Sequence, residues 1–62
     1  MKIKVMDIVY CPNRNLFGQI HRIRRVDVQI KFVTGDTVSI HINRITWNKD
    51  HWRINDWTNL LQ

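Results

Sequence analysis

The chain contains no alanine and no glutamate. Both are among the best helix formers, so their absence argues against a helical domain. The missing glutamate also rules out a paired-glutamate acid–base site, and all five acids are aspartate. There is a single cysteine, Cys11, so no intrachain disulfide can form. That suits a reducing compartment. One proline and two glycines leave no flexible linker. No apolar run approaches the roughly 20 residues that a membrane-spanning helix needs. The opening "MKIKV" alternates charged and apolar side chains with no long apolar segment behind it, which is not the pattern of a secretory signal. The expectation is one domain over residues 1–62, cytoplasmic and without a membrane partner.

What is abundant is β-branching. Nine isoleucines, six valines and four threonines fill the chain. These side chains fit a pleated surface and restrict a helix, so the fold class is all-β. Charge is the second excess. Ten Lys and Arg face five Asp, for a formal +5. The surplus is concentrated: Arg14, Arg22, Arg24, Arg25 and Lys31 fall between residues 14 and 31, opposed there by Asp27 alone. A concentrated positive field attracts polyanions, of which nucleic acid is the commonest.

A first strand is expected over Lys2–Tyr10, with a bend at Asp7. "CPNRNLFG" interrupts it, because Pro12 lacks an amide donor, Asn13 and Asn15 favour turns and Gly18 tolerates positive φ. In "QIHRIRRVDVQIKF" the apolar residues begin on a spacing of three (Ile20, Ile23, Val26) and end in alternation (Val28, Ile30, Phe32). A helix over the first part would lack i+4 partners and a good cap. A strand with one extra residue between Ile20 and Ile23 returns both side chains to the same face. The second strand therefore runs Gly18–Arg24 with a bend, and the third runs Asp27–Val33 after a turn at Arg25–Asp27. "TGDT" is a tight turn into a fourth strand, Thr37–Ile42. "NRI" is a single turn that drops Ile45 into the core, and "TWNKDHWRI" supplies a short fifth strand or two. Trp57, Leu60 and Leu61, spaced i, i+3, i+4, predict a short C-terminal helical turn that caps the core or meets a second copy in a weak homodimer. Core positions are Ile20, Ile23, Val28, Ile30, Phe32, Val38, Ile40 and Ile45, with Trp47 or Trp52.

This order, with Gly18 followed by Ile20, Ile23, Val28, Ile30 and Phe32, resembles the SH3-like barrels of the Tudor and KOW type. "MDIVY" is similar to that family's first strand, where a Gly-Asp pair precedes the valines; Met6 stands in the glycine's place. The resemblance covers residues 4–54 and implies a five-stranded bent barrel. Such barrels serve RNA, DNA, modified tails and protein partners, so the fold alone does not choose among them.

If Ile20 and Ile23 face inward, then Gln19, His21, Arg22 and Arg24 face outward, Arg25 lies in the turn and Lys31 joins them from the next strand. Guanidinium groups hold phosphate in a bidentate fork and stack on bases. Phe17, at the end of the long loop, is placed to stack on one base. The loop offers Phe17 and Tyr10 only, too few aromatics for a methyl-lysine cage. His21, His41, His51 and Cys11 show no close pair at ligand spacing, so neither metal nor other cofactor is expected. No nucleophile motif or phosphate loop is present, so an enzyme is not expected. The expected function is nucleic-acid binding with weak sequence preference, through Arg14, Phe17, Gln19, His21, Arg22, Arg24, Arg25 and Lys31. The alternative is a protein-interaction barrel that docks on, and modulates or inhibits, a larger complex. A stand-alone small barrel beginning at its own methionine is what a compact bacterial, plasmid or phage gene product would look like.

Overall fold

The computed structural model describes residues 2–55. Among them the chain forms β1 (Ile8–Cys11), β2 (Leu16–Ile23), β3 (Asp27–Phe32), β4 (Thr37–His41), β5 (Ile45–Asn48) and β6 (His51–Ile54). A 3-10 turn, Ile42–Arg44, separates β4 from β5. The strands make one sheet in the order β4-β3-β2-β1-β6-β5, curled into a half-barrel. The class is all-β, as the composition requires. The five-strand expectation is corrected to six strands. "TWNKDHWRI" folds back on itself at Lys49, whose φ of 61° lets two residues close the hairpin and set Trp47 opposite Trp52. The helical turn and the dimer contact expected of Trp57, Leu60 and Leu61 lie outside the described residues. Among the described residues no helix is long and apolar enough to cross a membrane.

β2 holds the two halves of the sheet together. Its first half pairs with β1, Ile8 opposite Gln19 through Cys11 opposite Leu16. Its second half pairs with β3, Gly18 opposite Phe32 through Ile23 opposite Val28. The ladder slips between Ile20 and Arg22, so His21 is the extra residue of a β-bulge. A bulge adds twist, and here it lets one strand bend between two partners. Gly18 lies where both pairings overlap. A Cβ on it would stand 2.8 Å from the Lys31 carbonyl oxygen and 3.0 Å from both Ile30 Cγ2 and Phe32 Cδ1. Glycine is required here by close approach.

Cross-strand partners share a face. The register therefore lays Phe32, Gly18, Val9, Trp52 and Trp47 in one row across the inner face. Val9, Cys11, Ile20, Val28, Ile30, Phe32, Ile45, Trp52 and Ile54 are the buried core, with Val38 and Ile40 packed against it. Trp47 packs edge-on against Trp52, ring centroids 5.2 Å apart, but stays partly exposed. The expectation that Ile23 is core is corrected: it is 37% exposed. β1 begins at Ile8, opposite Gln19, so the far end of β2 runs beyond its ladder with β1.

The first strand is shorter than Lys2–Tyr10. Residues 4–7 instead form a turn in which the Asp7 amide donates to the Lys4 carbonyl (3.1 Å) and the Lys4 amide to Asp7 Oδ2 (2.8 Å). The same carboxylate oxygen accepts the indole N–H of Trp52 at 3.0 Å, tying the N-terminal turn to the core. Met6 takes a φ of 83°, the left-handed backbone that a glycine adopts without cost.

Candidate nucleic-acid interface

On the outer face, Gln19 pairs with Lys31 and Lys31 with Thr37; Arg22 pairs with Gln29 and Gln29 with Ser39. The bulge adds one residue to this face. With Ile20 turned in and Arg22 out, His21 is also exposed, so two successive side chains project to solvent. At the hairpin end the Arg24 amide donates to the Asp27 carbonyl at 2.8 Å, which closes the turn and presents Arg25 at its tip. Gln19, His21, Arg22, Arg24, Arg25 and Lys31 thus belong to one exposed region over β2, β3 and their connecting turn. Arg22, Arg24, Arg25 and Lys31 make no ion pair among the described residues. Among the described residues no carboxylate competes for their donors.

Arg14 goes elsewhere. It is on the β1–β2 loop, 3.8 Å from the Asp36 carboxylate, with its guanidinium 5.1 Å from the centre of the Phe32 ring. It lines the mouth of the half-barrel beside Val38 and Ile40 rather than the outer strand face.

Phe17 is half-exposed and continues the outer face toward β1 and β6. It pairs with Tyr10, and Tyr10 with Arg53. The Phe17 and Tyr10 rings lie 4.8 Å apart, and His51 meets Phe17 edge-on at 6.0 Å and Tyr10 at 6.4 Å. The Tyr10 hydroxyl donates to Asn15 Oδ1 at 2.6 Å, where Asn15 holds a φ of 54°. His51 in turn contacts Asp50, Nδ1 to Oδ1 at 2.7 Å. That hydrogen bond holds the Asp50 carboxyl below its ordinary value of 3.8. Sequence reasoning missed His51 and Arg53 as members of this face. The signal was present in "HWRI": once Trp52 turns inward, alternation sends both neighbours outward. Among the described residues no three His, Cys or Asp side chains gather as a metal site.

Comparison with protein-family models, with curated proteins and with solved structures finds no match to the chain.

Proposed function

We propose that the chain is a small, basic, SH3-like barrel of the Tudor or KOW kind that binds nucleic acid in the cytoplasm, as a binding module and not as an enzyme. The observation that carries this reading is a set of cations, Arg22, Arg24, Arg25 and Lys31, exposed on β2, β3 and their connecting turn and without an ion pair among the described residues. Each phosphate they neutralise releases condensed counterions, so affinity falls steeply with salt. Contacts of this type position a strand without reading its sequence.

The test is the variant R22A/R24A/R25A. These side chains are exposed, so the fold is expected to survive. Binding to mixed-sequence oligonucleotides at low salt is expected to weaken by at least about tenfold, or ~1.4 kcal/mol, with a shallower salt slope. Lys2→Ala with Lys4→Ala, outside the cluster, is the control and is expected to matter less. A folded triple variant that binds as tightly as the parent overturns the reading.

A second reading has its own support. Among the described residues the sheet order leaves β4 and β5 as edge strands, and a sheet edge suits a partner's strand. A parent protein that binds no oligonucleotide at low salt would favour this protein-docking role.

A further inference from the structure

The N-terminal turn, the start of β2 and residues 31–33 line an open cleft of about 490 Å3 on the outer side of the sheet. That lies within the ~300–1,000 Å3 range of clefts that hold small ring systems. Its exposed apolar lining is Val5, Met6, Ile8, Phe17 and Val33, and its polar lining includes His21 and Lys31. These five apolar side chains are 42% to 76% exposed. The occupant they suit has an apolar face and an attached negative charge, because the adjoining cations are those of the bulged basic face.

We infer that this cleft takes one unpaired nucleobase, stacked against Phe17, so that the protein selects single-stranded over double-stranded nucleic acid. The inference rests on the nucleic-acid reading above and adds the class of strand. Four features support it. The Phe17 ring is held from behind by Tyr10 and His51, so it offers an oriented aromatic surface rather than a mobile one. Lys31, across the ladder from Gln19, stands where a flanking phosphate is neutralised. Gln19 lines the same cleft and gives its Nε2–H to the Met6 carbonyl at 3.3 Å, which leaves Oε1 as an acceptor for the N–H that every base carries. Finally, a duplex keeps its base faces stacked and its edges paired, so a cleft that engages a ring face needs a base already free.

The experiment measures fluorescence anisotropy of one labelled mixed-sequence strand, alone and annealed to its complement, at the same low salt. The single strand is expected to bind at least about tenfold more tightly. Phe17→Ala is expected to weaken strand binding about fivefold to a hundredfold, the range for loss of one stacked base, and to weaken duplex binding by clearly less. Phe17→Tyr is expected to retain strand binding. In the parent protein, ring currents from the bound base should shift the Ile8 and Val33 methyl resonances upfield when the strand is added. Equal affinity for strand and duplex, with dependence on the arginines intact, overturns the inference and leaves the proposed function standing. Binding to neither removes both. Should Phe17→Ala fail to fold, the methyl shifts decide alone, and their absence overturns the inference.

Discussion

Gly18→Ala puts the architecture to a sharp test, because one methyl group is added where two pairings of β2 overlap. The new Cβ would face the Lys31 carbonyl oxygen at 2.8 Å, whereas ordinary contact begins at 3.4 Å. That oxygen belongs to the β3 backbone and has to give way by about 0.6 Å, which strains the ladder between Gly18 and Phe32. Overpacking of this kind costs about 1–3 kcal/mol. Alanine recovers about 0.4–1 kcal/mol by narrowing the unfolded ensemble. Taking the middle of each range, the net expectation is a loss of about 1–2 kcal/mol. A domain this small rarely holds more than about 3–5 kcal/mol, so the loss is a large share. In a thermal melt followed by far-ultraviolet circular dichroism, it corresponds to a fall of about 4–16 °C. Urea titration should show the same loss with an unchanged slope. Phe32→Leu removes the 3.0 Å approach to Phe32 Cδ1 but also buried packing of its own, so the two changes together should cost less than the sum of their separate losses in a double-mutant cycle. If Gly18→Ala melts at or above the parent's temperature, β2 and β3 are not paired in this register.

Two further outcomes are expected from positions outside the core. Met6→Gly should raise stability by about 0.5–1 kcal/mol, because Met6 holds a φ of 83° with its side chain 66% exposed and a left-handed L-residue is strained; a melting temperature that does not rise would show that the Met6 side chain contributes more than its exposure suggests. Asp50 is held below 3.8 by its hydrogen bond to His51, so its contribution is present above that value and is lost as the pH falls through the lowered one. Asp50→Asn should therefore flatten the acid limb of a melting-temperature profile below 3.8, and identical limbs in parent and variant would remove the contact from the account.

The candidate interface was legible in part. Three arginines set between inward-facing isoleucines need an outward face, whichever strands lie beside them, and Gln19, His21 and Lys31 follow by alternation. Arg14 was grouped with them because charge counting works along the chain. In the fold it sits on a loop beside Phe32 and Asp36, and nothing local in "CPNRNLFG" encodes that neighbour. Phe17 and Tyr10 stand together at the loop in the sequence and alternation in "HWRI" turns His51 outward, but nothing local brings His51 to the other two. The three come from three strands, and His51 joins the others only through the pairing of β1 with β6.

What the residues determined by themselves is whatever depends on short range. β-Branching and the lack of good helix formers set the class. Alternation sorted Val28, Ile30 and Phe32 inward and Lys31 outward, and the spacing of Ile20 and Ile23 required the extra residue that the bulge supplies at His21. The tertiary structure decided what depends on which strands meet. It made Gly18 a point of close approach rather than a turn, and it pinned Asp7 beneath the Trp52 indole. It left Ile23 partly exposed, although its partner Val28 is buried. It also opened a cleft beside Phe17 between the N-terminal turn and β2. Side-chain direction along a strand repeats every two residues and is written locally, whereas cross-strand neighbours are set by register and sheet order, which no single stretch of the chain contains.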